Sequence, residues 1–192
     1  MKKILSVAVL GSTGYVGLEL VKILIRHPNI QIKFLGCENS PSKDIREFDQ
    51  NIVIDTLPKL DLNNNFDLKN YDLVFLSLPH GVSHKFVKNF NRKIKIIDLS
   101  ADFRLDSEKL YSKNYNNDHA CPELLNQFIY GLPEINKDVL NTNFDVAVPG
   151  CYPTSVLIPL IPLLKKNLIK TDNIIIDSKS GYSGAGKKFD LN

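Results

Sequence analysis

One cysteine of the sequence stands where a nucleophile is expected. Cys151 lies in PGCYPTS, between an apolar run that predicts a strand and the run VLIPLIPLLKK, which predicts a helix. Pro153 suits the first turn of that helix, so Cys151 would lie at the helix N-terminus. This position favours the thiolate, which is the nucleophilic form of cysteine. The alternative, a small buried apolar side chain, fits the position equally well, because most free cysteines are buried.

A glycine-rich turn follows the first predicted strand and opens an amphipathic stretch. Its sequence, GSTGYVG, suits dinucleotide binding, where glycines allow a tight turn, close approach of the pyrophosphate and close packing of the helix on the strand. The pyrophosphate would lie at the helix N-terminus, where free N–H groups favour anions. The spacing is one residue longer than the commonest fingerprint, and a plain glycine turn is the alternative. The residues predicted to bind the cofactor here are Gly11, Ser12, Thr13, Gly14, Tyr15, Val16 and Gly17.

The loop after the second predicted strand bears on the choice between NAD and NADP. Glu38 stands about 20 residues past the glycines, where an acidic residue would bind the ribose 2′-hydroxyl of NAD. In the same loop, ENSPSK, the side chains of Ser40, Ser42 and Lys43 offer donors that suit the 2′-phosphate of NADP. A solvated loop that contacts no ligand is the third possibility. We predict NADP, bound in part by Ser40 and Lys43.

Two histidines and an arginine complete the candidate set. His80 and His84 in PHGVSH have the spacing of a metal-binding pair, but no glutamate lies between them and no third ligand is apparent. We therefore predict no metal and expect this segment, with Pro79 and His80, to pack beside a cofactor. Arg104 stands in LSADFRL, in a chain whose basic residues are mostly lysine. It indicates bidentate binding of an anion, with a surface ion pair as the alternative.

Nearly continuous apolar runs predict strands that are buried on both faces of a parallel sheet. These runs are Ile4–Leu10, IQIKFLG around Gln31, Asp72–Pro79, Ile94–Ser100, Phe144–Gly150 and Asn173–Ser180. Helical periodicity marks a stretch that ends near Pro28 and a second over Gly81–Phe90. Asp55–Tyr71 predicts a surface connection with a short strand, and Ser107–Asn136 is left unassigned. The alternation predicts an α/β fold with a Rossmann-like, doubly wound parallel sheet.

Composition narrows the class of protein. The 192 residues carry a net charge of +3, are 43% hydrophobic and hold no apolar run near the ~20 residues that span a bilayer. Lysine is spread along the chain without a basic stripe, so no nucleic acid partner is expected. The start, MKKILSVAVLGSTGYVG, reaches the glycine turn without a cleavage site and predicts a first strand, not a signal peptide. Three cysteines, an odd number, favour a reducing, cytoplasmic setting over a disulfide framework.

Taken together, the motifs resemble those of one enzyme family. GSTGYVG, PHGVSH, DLSADFRL, YGLPEIN, PGCYPTS and KSGYSGAGKK occur in the order and approximate spacing of N-acetyl-gamma-glutamyl-phosphate reductases, relatives of aspartate-semialdehyde dehydrogenase that act in arginine biosynthesis. The resemblance covers essentially the whole chain. It implies an NADP-binding domain over residues 1–149, followed over residues 150–192 by the beginning of an α+β catalytic and dimerisation domain.

The resemblance also implies a reaction. Cys151 would attack the acyl phosphate of N-acetylglutamyl phosphate, phosphate would leave, and NADPH would reduce the resulting thioester to the semialdehyde. Ser183 and Gly184 would lie near the nicotinamide, and Arg104 near the anionic end of the substrate. The enzyme would be a cytoplasmic homo-oligomer without a membrane partner.

Two departures from the family pattern shape the alternatives. The loop CENSPSK keeps only the lysine of the pattern found in many relatives. Family members are close to twice as long, and their catalytic histidine comes from a segment beyond residue 192, so we expect this chain to be an incomplete form. The alternatives are a nucleotide-binding module without catalysis and an enzyme of the aspartate-semialdehyde dehydrogenase type.

Overall fold

A computed structural model describes residues 3–54, 56–90, 94–140 and 145–185, which form one parallel sheet with flanking helices. The strands are β1 (Leu5–Leu10), β2 (Ile30–Cys37), β3 (Leu60–Leu62), β4 (Leu73–Leu76), β5 (Lys95–Asp98), β6 (Phe128–Tyr130) and β7 (Asp145–Ala147). They lie in the order β3-β2-β1-β4-β5-β7-β6, and all neighbouring pairs are parallel. The α-helices among the described residues are α1 (Tyr15–Leu24), α2 (Ser83–Lys88), α3 (Glu108–Tyr115), α4 (Pro133–Leu140) and α5 (Cys151–Lys165). The predicted Rossmann-like α/β sheet is confirmed, while the domain boundary after residue 149 stays a prediction.

The central strands are apolar along most of their length because both faces of the sheet are covered. Residues 7–10 of β1 have no solvent exposure. Successive side chains of a strand point to opposite faces. Val7 and Val9 accordingly join one apolar cluster, together with the buried stripe of α1, whereas Ala8 and Leu10 join the other. Burial on both faces explains why these strands show no alternation of polar and apolar residues.

The order of the strands creates a crevice at the carboxyl ends of the central strands. After β1 the chain forms β2 on one side of β1, and it later forms β4 on the other side. Open parallel sheets bind ligands outside the carboxyl ends of the strands at such a point. The glycine turn follows β1 there, and the segment with Pro79 and His80 follows β4. The topology therefore brings together two segments that were predicted separately to contact a cofactor.

Five of the six predicted strands form, and β3 is the short strand predicted within residues 55–71. Phe144, the first residue of the fifth prediction, lies outside the described residues. The strand predicted over Asn173–Ser180 is wrong, because residues 174–180 have no regular structure and Ile175 is 92% exposed. A strand is stable when its backbone N–H and C=O groups pair with a neighbour. No described strand lies beside this segment, and Asn173 adopts a φ of 61°, outside the extended range.

The last helix places the candidate nucleophile. α5 begins at Cys151, and Gly150 is its N-cap in extended conformation. The helix continues for 15 residues although Pro159 and Pro162 interrupt its hydrogen bonds. The prediction that Cys151 lies at a helix N-terminus is confirmed. No residue of α5 is buried, and its apolar residues Ile158 and Leu163 are exposed.

Candidate functional site

A cavity of about 790 Å³ opens outside the carboxyl ends of β1, β2 and β4. Its wall combines the glycine turn, the ends of β2 and β3, the segment after β4 and two residues that follow α5. The lining residues are Gly11, Thr13, Gly14, Tyr15, Val16, Cys37, Glu38, Leu62, Asn63, Asn64, Ser77, Leu78, Pro79, His80, Val82, Phe86, Leu99, Ser183 and Gly184. A volume of this size lies within the range of pockets that hold cofactors.

The glycines of the turn are required by close backbone contacts. Gly11 has a φ of 75°, and a Cβ added there would lie 2.2 Å from the carbonyl oxygen of Ser77 at the end of β4. A Cβ on Gly17 would lie 2.3 Å from the carbonyl oxygen of Gly11, so α1 packs directly on the turn. Gly14 is the N-cap of α1 and has no such contact. The turn thus presents its backbone and the start of α1 to the cavity, as a pyrophosphate site requires.

Two polar side chains hold the turn in place. Ser12 is fully buried, and its hydroxyl donates to the carbonyl of Gly36 at 2.9 Å, so it supports the turn from behind the cavity. Asn63 was not predicted: its Oδ1 accepts from the N–H of Gly11 at 2.9 Å, and the residue lines the cavity. It comes from the polar segment between β2 and β4. A run of three asparagines was the signal in the sequence, although it gave no indication of a partner.

One part of the loop after β2 lines the cavity, and another part lies outside it. Glu38 lines the cavity, whereas Ser40 and Lys43 do not. The main chain of Lys43 accepts from the N–H of Leu60, which ties the loop to β3. The Lys43 ammonium lies 3.9 Å from a carboxylate oxygen of Glu47, and both side chains are half exposed. The lysine is therefore accessible and weakly paired, as a residue that engages a phosphate would be.

The histidine after β4 faces the cavity in a defined orientation. Its Nδ1 accepts from the N–H of Ala101 at 2.9 Å, so the neutral ring of His80 carries its proton on Nε2. Desolvation by the surrounding protein is the main reason that the pKa of His80 lies below 6.5. The positive charge of Arg104 lowers this pKa further, and the negative charge of Asp102 raises it. Pro79, which precedes His80, also lines the cavity.

The predicted anion-binding arginine lies beside the predicted nucleophile. Arg104 donates from Nε to the carbonyl of Val148 at 2.8 Å and from a terminal nitrogen to that of Leu99 at 3.0 Å. A Cβ on Gly150 would lie 3.0 Å from its other terminal nitrogen. Gly150 is the N-cap that precedes Cys151, so a guanidinium and an exposed thiol share the carboxyl ends of β5 and β7.

The other two cysteines are placed differently from Cys151. Cys37 and Cys121 are buried, with 1% and 0% of their surface exposed, whereas Cys151 is exposed. Because burial restricts the access of reagents, we expect Cys37 and Cys121 to be less reactive than Cys151. Neither Cys151 nor Arg104 lines the glycine-turn cavity, which instead reaches Ser183 and Gly184.

Two stacked histidines beneath the site are held in the neutral state. The rings of His84 and His119 lie 4.7 Å apart, and each Nδ1 accepts from a main-chain N–H, those of Ala120 and Cys121. Burial lowers the pKa of both histidines below 6.5. The unfolded chain keeps the ordinary value and so binds these protons at higher pH than the folded protein does.

We expect these histidines to make stability fall as the pH drops through 6.5, because the unfolded state then binds more protons. Asp98 acts in the opposite direction. Its burial raises its pKa to about 6, so its protonation in the folded protein stabilises the fold as the pH falls through 6. Urea unfolding between pH 5 and 8 should therefore show that the stability of the Asp98→Asn variant falls more steeply with decreasing pH than that of the wild type. A flat profile in this variant would contradict the neutral assignment of His84 and His119.

Within the described ranges, no three His, Cys, Asp or Glu residues form a group that would hold a metal ion. In the same residues, no helix has the length and apolar character needed to cross a membrane.

Comparisons with known proteins place this geometry in a family. The family model described as semialdehyde dehydrogenase, NAD binding domain, matches residues 6–143, and the one described as semialdehyde dehydrogenase, dimerisation domain, matches residues 151–192. Relatives named N-acetyl-gamma-glutamyl-phosphate reductase include those of Ehrlichia canis, 46% identical over 95% of this chain, and Acinetobacter baylyi, 43% identical over 97%. The chain spans about half the length of these relatives, 53% and 54%. The resemblance predicted from the motifs is confirmed.

Solved structures share the fold at lower identity. Aspartate semialdehyde dehydrogenase with NADP from Candida albicans has a TM-score of 0.59 and 18% identity over 85% of this chain and 48% of its own. Aspartate semialdehyde dehydrogenase II complexed with ASA from Vibrio cholerae has a TM-score of 0.62 and 19% identity over 85% of this chain and 47% of its own. At these identities the likeness concerns the fold alone.

Proposed function

Because this chain belongs to the semialdehyde dehydrogenase family, we propose that it carries the cofactor site and nucleophile of an NADP-dependent reductase that converts N-acetylglutamyl 5-phosphate to N-acetylglutamate 5-semialdehyde. The observation that carries the proposal is the position of Cys151, which is exposed at the start of α5 beside Arg104. An acyl phosphate needs both features, since a thiolate attacks its carbonyl carbon and a guanidinium binds its anionic oxygens.

The cavity fits a nicotinamide dinucleotide. The turn packs closely at Gly11 and Gly17, and the N-terminus of α1 lies at the cavity, where it would receive a pyrophosphate. When bound, the dinucleotide supplies hydride. Ser183 and Gly184 would lie near the nicotinamide, because they line the cavity and follow the helix that begins at Cys151.

The residues of the chain divide the reaction into two steps. The sulfur of Cys151 bonds to the acyl carbon, the carbon–oxygen bond to phosphate breaks, and phosphate leaves with the electron pair. Arg104 neutralises charge on the departing group from its fixed position on the carbonyls of Leu99 and Val148. After reduction of the thioester carbon, the carbon–sulfur bond breaks, the aldehyde leaves and the thiolate of Cys151 is restored. Covalent catalysis thereby replaces one difficult reduction with two easier steps.

We further propose that NADP is preferred over NAD. Ser40 and Lys43 lie on the loop after β2, and the ammonium of Lys43 is half exposed and paired only at 3.9 Å. Titration of NADPH and NADH should show tighter binding of NADPH, and Lys43→Ala should weaken NADPH binding about 10-fold while leaving NADH unchanged. Lys33→Ala, which removes an exposed lysine from the middle of β2, is the matched control. Tighter binding of NADH, or an NADPH affinity unaffected by Lys43→Ala, would contradict the preference.

The reverse reaction tests the activity as a whole. NADP, phosphate and N-acetylglutamate semialdehyde should yield NADPH, measured by its absorbance, with a rate that depends on phosphate. Because the chain spans about half the length of the relatives that it matches, its own rate should stay below theirs. A rate independent of phosphate would contradict an acyl-phosphate product.

We also propose that the full-length protein is a cytoplasmic homo-oligomer. The odd number of cysteines and the match to a dimerisation domain support this proposal.

A further inference from the structure

One buried carboxylate joins two loops of the site. Asp102 has no solvent exposure. Its Oδ1 accepts from the main-chain N–H of Gly81 at 2.8 Å, and its Oδ2 accepts from that of His84 at 3.1 Å. The hydroxyl of Tyr111 donates to Oδ1 at 2.9 Å. Because all three partners are donors, both oxygens act as acceptors, which offsets the cost of burying the charge.

The turn that carries Asp102 also holds His80. The N–H of Ala101 donates to Nδ1 of His80, so Nε2–H is the ring donor left for a ligand in the cavity. Gly81, the next residue, has a φ of 78°, a conformation that glycine adopts without strain. Asp102 accepts hydrogen bonds from the main chain at two positions of this segment, Gly81 and His84.

We propose that Asp102 is a positioning residue for the cofactor site. It fixes the backbone after β4 so that His80 keeps Nδ1 on Ala101 and offers Nε2–H to a phosphate, ribose or amide oxygen of the dinucleotide. The proposal rests on the proposed function. A purely structural role would make Asp102 important for stability alone and would leave His80 and cofactor affinity unchanged.

Asp102→Asn separates the two roles, because an amide nitrogen replaces one oxygen and does not accept from a main-chain N–H. We expect the dissociation constant for NADPH to rise about 10-fold or more, the size of a lost charge-assisted hydrogen bond. We also expect ¹⁵N spectra of the His80 ring, recorded without cofactor, to change from the single Nε2–H tautomer to a mixture.

Tyr111→Phe is the matched control. It removes the third donor to the same carboxylate but keeps both main-chain contacts, so it should lower stability while changing NADPH affinity less than about twofold. The His80 tautomer should stay as in the wild type.

A second variant covers the case in which Asp102→Asn does not fold. Gly81→Ala strains the other partner of the same hydrogen bond, since alanine rarely adopts a φ of 78°, and it should weaken NADPH binding to a similar extent. Folded variants that bind NADPH as the wild type does and keep the single His80 tautomer would overturn the proposal. A wild type that does not bind NADPH would instead contradict the proposed function, and the His80 tautomer would still decide the role of Asp102.

Discussion

Replacing Cys151 with serine should lower the rate of acyl-phosphate reduction by about 10³-fold or more, because removal of a nucleophile eliminates the covalent route. Serine keeps the size of the side chain and its position at the start of α5, but its hydroxyl is largely un-ionised at neutral pH. Cys151 does not line the glycine-turn cavity, so NADPH affinity should stay within about twofold of the wild type. Steady-state rates and fluorescence titration of NADPH measure the two effects separately.

Ser155→Ala is the matched control for this substitution. Ser155 is exposed on α5, four residues after Cys151, and its hydroxyl donates to the carbonyl of Tyr152. Its removal should leave turnover unchanged. Retention of more than a tenth of the wild-type rate in Cys151→Ser would show that the thiol is not the nucleophile.

Gly17→Ala should destabilise the fold by about 2–3 kcal/mol and weaken NADPH binding about 100-fold. In a free helix this change would be stabilising, because alanine has the higher helix propensity. Here the added Cβ would lie 2.3 Å from the carbonyl oxygen of Gly11 and 2.8 Å from two backbone atoms of Ser12, so no flexible side chain can move to make room. Overpacking of this kind costs about 1–3 kcal/mol and shifts the backbone that receives the pyrophosphate. Urea unfolding and NADPH titration provide the two measurements.

Gly14→Ala serves as the comparison within the same turn. The nearest atom to its added Cβ is the carbonyl oxygen of Gly11 at 3.6 Å, an ordinary contact, so the expected loss is about 1 kcal/mol from the poorer N-cap. Gly11→Ala should be worse than Gly17→Ala, because it adds a φ of 75° to a contact of 2.2 Å with Ser77. Equal stability of the Gly14→Ala and Gly17→Ala variants would contradict the packing described for the turn.

The sheet was predictable where its strands are long and buried on both faces. β1 carries a run of apolar residues that a covered parallel sheet explains, and the glycine turn marks the start of α1. β6 was missed because three residues are too few to show a period, and its place beside β7 depends on long-range pairing. The strand predicted over Asn173–Ser180 is wrong because strand formation also depends on a partner. The composition of this segment suits a strand, but no described strand pairs with it.

The individual residues of the site were predictable from the sequence, but their arrangement in space was not. The sequence placed Arg104 and Cys151 each after a predicted strand. Their proximity depends on β5 and β7 being neighbours, and the order of strands in the sheet decides that pairing. Asp102 escaped notice because a single aspartate after a strand has no spacing signal. Its importance lies in hydrogen bonds to Gly81 and His84, which are 21 and 18 residues away in the chain.

The most direct test of the central claim is mass spectrometry of the protein after incubation with N-acetylglutamyl phosphate. We predict one acyl adduct, located by peptide mapping on Cys151 and released when NADPH is added, with the aldehyde as product. The adduct should be absent from Cys151→Ser. An adduct on Cys37 or Cys121, or reduction of the acyl phosphate by NADPH in the Cys151→Ser variant at the wild-type rate, would contradict the account.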